Sequence, residues 1–350
     1  MKRRLILSKR TEHSKENSQK NLWITLVVLV VLGFLISLSL GRYDISLRQL
    51  WVFILAKIFP LEHNSPPILD IVVFHVRFPR ILAAMLVGTA LAASGAAYQG
   101  MFQNPLVSPN ILGASAGAGF GAALGIYFSM DYLLIQIYSF VFGLIAVLIS
   151  WGVSTKIRRD PKLVLVLSGI LVGTLFTSGI AFIKYVADPT DKLPAITYWL
   201  MGSLASVDMA DVRSVLIPIL AGTIFLYLVR WRLNVLSLGE DEAKSLGVDT
   251  KKIRFMVIIC ATLMTSAAVS ISGVVSWVGL VVPHLARMAL GPNFCALLPA
   301  SILIGSTYLL LVDDLARMLA PVETPLGILT SLIGAPFFIF LLTRSRRGFH

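Results

Sequence analysis

The sequence predicts an all-α, polytopic membrane protein, and three observations carry that reading. Only 14% of the 350 residues are charged and 57% are hydrophobic, whereas soluble chains average about 25% charged residues; the mean hydropathy is +0.83. The apolar residues come in repeated runs long enough to cross the roughly 30 Å hydrocarbon layer as helices. Those runs are continuous rather than alternating, which excludes the strands of a closed β-barrel, the other way to span a bilayer.

Residues 1–21 form a basic segment with seven Lys/Arg (Lys2, Arg3, Arg4, Lys9, Arg10, Lys15, Lys20), read as a cytoplasmic tail. The run 22–40 is too long for a signal-peptide core and lacks a small-residue cleavage site, so it is the first span. Nine more spans follow, at about 81–99, 110–129, 133–154, 163–186, 212–230, 254–272, 275–290, 296–313 and 325–343, the eighth short and either tilted or broken around Pro283. The membrane-spanning body therefore occupies 22–343, and 344–350 is a second short tail. Between the spans, the apolar residues from Ile45 to Ile58 predict a short surface helix, and the stretch Asp188–Asp211, with Tyr198–Leu204, predicts another.

Ten spans return the C-terminus to the side of the N-terminus. With the N-terminus inside, 21 Lys/Arg fall on inner segments and 9 on outer ones, as the positive-inside rule requires. That asymmetry accounts for the net charge of +12 without nucleic acid. Both termini are expected in the cytoplasm and the protein in the cytoplasmic membrane. The two cysteines, Cys260 and Cys295, lack the spacing of a disulfide framework or zinc site.

An internal repeat is suggested by Ser94-Gly95 standing eleven residues before Pro105 and Ser272-Gly273 eleven before Pro283. Blocks 81–186 and 254–343, separated by one span, would then form an inverted repeat with a pathway at their interface. Gly113, Gly117, Gly121 and Gly125 recur every four residues, the stripe along which a neighbouring helix backbone approaches closely. No Gly-x-x-x-x-Gly-Lys-Ser/Thr occurs, so the chain has no phosphate loop of that kind. No nucleophile–base set or metal-ligand motif stands out, and His284 reads as an interfacial histidine more readily than as a proton relay.

The polar island from Arg232 to Arg254 is the feature that membrane spanning does not explain. Ser237 and Glu240 have capping-box spacing; Glu240, Asp241 and Glu242 place negative charge at a helix N-terminus and Lys244 follows toward its end. Gly247 is a natural residue just past a helix. Leu238, Glu242 and Leu246 share one stripe. A rigid helix held outside the membrane between two spans offers itself to a soluble partner. Arg77, Arg80 and Arg317 lie at span ends on the outer side, where they read either as snorkelling anchors or as a basic receptor for acidic groups of an external partner.

Five stretches in order, RFPRILAAMLVGTALAASGAAYQGMFQNPLVSPNILGASAGA (77–118), YWLMGSL (198–204), LGEDEAKSLGVD (238–249), SGVVSWVGLVVPHLAR (272–287) and ETPLGILTSLIGAPFFIFLL (323–342), resemble the FecCD-type permeases of ABC importers for iron–siderophores, haem and cobalamin. The resemblance implies a type II ABC importer permease of ten helices that forms a homodimer. Each copy would dock one cytoplasmic ATPase, which alone holds ATP and Mg, and one solute-binding protein would cap the pair. It places ATPase coupling on Leu238, Gly239, Glu240, Asp241, Glu242, Leu246 and Gly247. Binding-protein docking falls on Arg77, Arg80 and Arg317, and a cytoplasmic gate on Asn104, Pro105 and Leu106. A second constriction falls before the fifth span, where RRDPK (158–162) is charged.

The expected activity is import of an iron–siderophore-type chelate, with cobalamin or haem as alternatives, no catalytic site in this chain and no cofactor or metal bound to it. A proton-coupled secondary carrier is the rival from another class. It would leave the 238–248 helix without a role.

Overall fold

A computed structural model describes residues 2–41, 43, 45–59, 67–157 and 160–345. The second constriction's Arg158 and Arg159, and residues 346–350 of the C-terminal tail, lie outside the described residues. Those described are helical, in the order α1 (Lys2–Ser39), α2 (Leu47–Ile58), α3 (Pro67–Asp70), a π-helical stretch Ile71–Arg77, α4 (Phe78–Phe102), a 3-10 turn Pro109–Leu112, α5 (Ala114–Tyr127), α6 (Tyr132–Lys156), α7 (Pro161–Val186), α8 (Lys192–Met201), α9 (Met209–Leu228), α10 (Arg230–Leu236), α11 (Glu240–Ser245), α12 (Thr250–Ser272), α13 (Val278–Leu290), α14 (Phe294–Met318) and α15 (Leu326–Ser345).

Among the described residues, seven helices are long and apolar enough to cross a membrane. The remaining three crossings are α5, α13 and α15. At 14 and 13 residues, α5 and α13 reach only about 20 Å, and the turns 103–113 and 273–277 complete their passage. Pro283 does not break α13, which continues through it. The first helix runs back through the basic segment to Lys2, where the sequence alone suggests a tail. Both surface helices exist, α2 with a reciprocal Ser46–Gln49 capping box and α8 covering Tyr198–Met201.

The second span starts earlier than its hydropathy suggests. Ile68–Phe102 is one helical rod of 35 residues. Pro79 has no N–H to give the preceding turn, and the turns before it are widened, the Phe78 N–H reaching Val73 O.

At the centre stands α4, almost entirely buried and rich in Ala, Gly and Ser. Its small side chains let neighbours approach to backbone contact: a Cβ on Gly95 would lie 1.9 Å from Gly279 O, and one on Gly88 would lie 2.1 Å from Gly305 O. Packing is reciprocal. Helix α4 lies against α13 and α14, and α12 lies against α5 and α6. The first helix of each half thus packs on the second and third helices of the other, as an inverted repeat demands. The Ser-Gly pairs do not mark it, because Ser94-Gly95 is mid-helix in α4 while Ser272-Gly273 ends α12.

Three of the four stripe glycines behave as expected. A Cβ on Gly117 would meet Phe142 O at 2.4 Å, one on Gly121 would meet Tyr138 O at 2.2 Å, and one on Gly125 would meet Ile135, all on α6. Gly113 is different. Its φ of 86° makes it the left-handed N-cap of α5, facing α7, a conformation glycine adopts without the Cβ penalty.

Candidate functional site

The end of the bundle carrying α11 is the one whose charge predicts it to be cytoplasmic, and is called the inner end. Here α11 stands out from the protein on one buried residue, Ala243, with Leu238, Asp241, Glu242, Lys244, Leu246 and Gly247 all exposed. Two devices hold it. At its C-terminus, Val248 N–H bonds to Ala243 O at 2.9 Å and Gly247 N–H to Lys244 O at 3.0 Å, a Schellman pair closed by Gly247 at φ 75°. At its N-terminus, Arg254 of α12 donates to Glu240 at 2.7 Å, and Lys244 lies 3.1 Å from the same carboxylate. The Arg254 bond holds Glu240 below the usual glutamate pKa.

The capping box expected of Ser237 and Glu240 does not form. Ser237 is in a helical conformation as the C-cap of α10, with Gly239 as the N-cap of α11. Its hydroxyl therefore reaches back to Asn234 O at 2.6 Å.

Gln103 is a residue the sequence gives no signal for. It ends α4 in the left-handed conformation, φ 54°. Its Nε2 donates to Leu236 O at 3.1 Å and Ser237 O at 3.3 Å, and its Oε1 accepts from Lys162 at the start of α7. It thus ties the root of α11 to the segment Asn104–Leu106 and to the fifth span. Asn104 and Leu106 are exposed, and Asn104 Oδ1 accepts from Leu106 N–H at 2.9 Å. Asn234 adds a bond from Phe294 N–H at 3.0 Å, fixing α10 to α14.

At the outer end the three arginines are not exposed. Arg77, Arg80 and Arg317 are 3%, 5% and 7% accessible. For Arg77 and Arg317 the reason is the C-terminus of α1, whose last carbonyls have no intrahelical donor. Arg77 donates to Leu38 O at 2.7 Å and Ser39 O at 2.8 Å, and also to Tyr43 O. Arg317 donates to Leu40 O at 3.2 Å and to Ser37 Oγ at 2.8 Å, and pairs with Asp314.

Arg80 grips Asp313 with Nε and Nη2 at 2.9–3.1 Å and reaches Glu323 with Nη1 at 2.9 Å. Asp313 and Asp314 are buried inside α14. The signal available for them was Arg317 at three- and four-residue spacing.

Between α5 and α7 runs an open groove of about 480 Å³, whose lining includes Asn110, Thr174, Thr177 and Ser178 and contains no charged side chain. The Thr174 and Thr177 hydroxyls donate to carbonyls of their own helix, Ile170 O at 2.9 Å and Gly173 O at 2.8 Å.

Residues 29–344 match the FecCD transport family. The chain belongs to that family. It is a permease of ABC importers, a multi-pass membrane protein. It is 41% identical over 323 residues to the molybdate import system permease MolB of Haemophilus influenzae, covering 92% of this chain and 95% of that one. The cobalamin import system permease BtuC of Halobacterium salinarum is 38% identical over 284 residues, 81% and 76% of the two chains. A solved structure described as a metal-chelate type ABC transporter in an inward-facing conformation shares 38% identity, with a TM-score of 0.84 over 93% of this chain and 99% of that one. Other relatives are named for iron(3+)-hydroxamate and hemin.

Proposed function

We propose that this permease imports an iron–siderophore-type metal chelate as a homodimer, driven by two cytoplasmic ATPase subunits and supplied by an extracytoplasmic binding protein. The observation that carries the energy coupling is α11, an exposed acidic helix flanked by Leu238 and Leu246 and braced by Arg254. An ATPase groove would take the two leucines, with Asp241 and Glu242 setting orientation and association rate. Glu240 serves the brace instead, so charge reversal there would damage the helix itself. Movement of α11 passes through Gln103 to the gate at Asn104, Pro105 and Leu106 and to α7. The buried arginines act by fixing the rim on which the binding protein sits.

The uncharged groove favours a bulky solute whose charge is masked by organic ligands. A second reading, molybdate, has the 41% identity to MolB in its favour. Cobalamin and haem are further alternatives.

The test is reconstitution of the complex in proteoliposomes. Ferric-siderophore uptake and binding-protein-stimulated ATP hydrolysis are expected in the wild type. Both should fall at least tenfold in Leu238→Glu/Leu246→Glu, the loss of about 1.4 kcal/mol or more of coupling contact. Molybdate uptake without siderophore uptake would move the substrate to the oxyanion. Undiminished stimulated hydrolysis in the double variant would remove α11 from coupling.

A further inference from the structure

We infer that a cavity at the inner end, between α6, α7 and α12, is a binding site for the phosphate headgroup of an anionic phospholipid. The cavity measures about 480 Å³ and is lined by Lys162, Lys251 and Arg254 on its polar side. The carboxylate that also lines it, Glu240, is already neutralised by Arg254 and Lys244. Cationic capacity is left over. Neither Lys251 nor Lys162 makes an ion pair among the described residues, Lys162 donating instead to the neutral amide oxygen of Gln103. An anion with several oxygens would accept from both.

The other half of the lining decides what carries the anion. Trp151 and Phe255 form an aromatic wall there, ring centroids 4.9 Å apart, and the rim residue Ile157 is exposed. Free phosphate would leave that half empty, whereas a phospholipid offers an acyl chain to it. Basic pockets between spanning helices near the cytoplasmic surface bind anionic headgroups in this way. The occupant would touch both ties of α11, the Arg254–Glu240 brace and the Lys162–Gln103 bond. The site itself is independent of which solute is imported.

The experiment is native mass spectrometry of the full chain, titrated with phosphatidylglycerol or with phosphatidylcholine of identical acyl chains. The wild type should retain phosphatidylglycerol preferentially. Retention should fall about fivefold for each lysine removed in Lys162→Gln and Lys251→Gln, the contribution of one basic residue at an anionic surface. Lys252→Gln, equal in charge change but outside the cavity, should keep wild-type retention. Equal retention of the two lipids by the wild type overturns the proposal without reference to any variant, as does an equal loss in Lys252→Gln. Inorganic phosphate that binds and displaces phosphatidylglycerol at millimolar concentration would assign the cavity to free phosphate and overturn the lipid.

Discussion

Arg80, Asp313, Asp314 and Arg317 place two cations and two anions together in the bundle, where desolvation is costly and pairing is compulsory. Losing Arg80 leaves Asp313 and Asp314 to share Arg317, which stands 3.3 Å from Asp313 and also pairs with Asp314, so one buried negative charge is no longer compensated. Arg80→Met should therefore lower stability by about 3–5 kcal/mol, read as a fall in the thermal midpoint of the purified permease. Arg80→Met/Asp313→Leu should recover part of it, because both members of the tightest pair are then gone while Arg317 keeps Asp314. A double variant less stable than the single one would show that the network gives more than mutual neutralisation.

At the scale of an element, α11 has only six residues, too few to persist alone, since isolated helices shorter than about twelve residues are marginal in water. Its persistence rests on the Schellman closure and on Arg254. The brace has a definite pH signature. Glu240 is depressed by Arg254's hydrogen bond, so it binds its proton more weakly folded than unfolded. The stabilisation is present above the ordinary glutamate value of 4.5 and is lost as pH falls through the lower, folded value. Hydrogen exchange at 240–246, corrected for intrinsic rates, should be flat from about pH 5 to 8 and accelerate below that range. Glu240→Gln should be fast throughout and lack the acid transition. An acid transition that survives in Glu240→Gln would assign it to another carboxylate.

For the whole molecule, the decisive feature is that the two halves exchange contacts, α4 with α13 and α14, α12 with α5 and α6. A force on α11 cannot stay local, because α10 and α12 carry it into both halves, and Gln103 is the shortest connection to the loop at 104–106. Gln103→Ala should leave the fold and ATPase docking intact but separate hydrolysis from transport. We expect stimulated hydrolysis within about twofold of wild type and solute uptake lowered about tenfold, the loss of one or two hydrogen bonds of ~1 kcal/mol each at the joint. Uptake and hydrolysis falling in proportion would place Gln103 in assembly rather than in coupling.

The sequence by itself determined the class, the number of crossings, the orientation expected from charge and the presence of a polar helix before the seventh span. These follow from local quantities: apolar run length, Lys/Arg asymmetry, and the Gly247 stop after an acidic first turn. The glycine stripe at 117, 121 and 125 was legible for the same reason, since a four-residue period defines one helix face.

What only the tertiary structure decided is who partners whom. Arg77, Arg80 and Arg317 look like outward-facing cations in one dimension, but the open carbonyls of α1 and the acids of α14 lie beside them in three. Ser237 has capping-box spacing, yet α10 holds it in a helical conformation that turns its hydroxyl away. Gln103, an unremarkable amide in sequence, joins groups 59 and 133 residues distant. Hydrogen-bond partners separated by that much chain are set by packing, and packing is not a local property of the sequence.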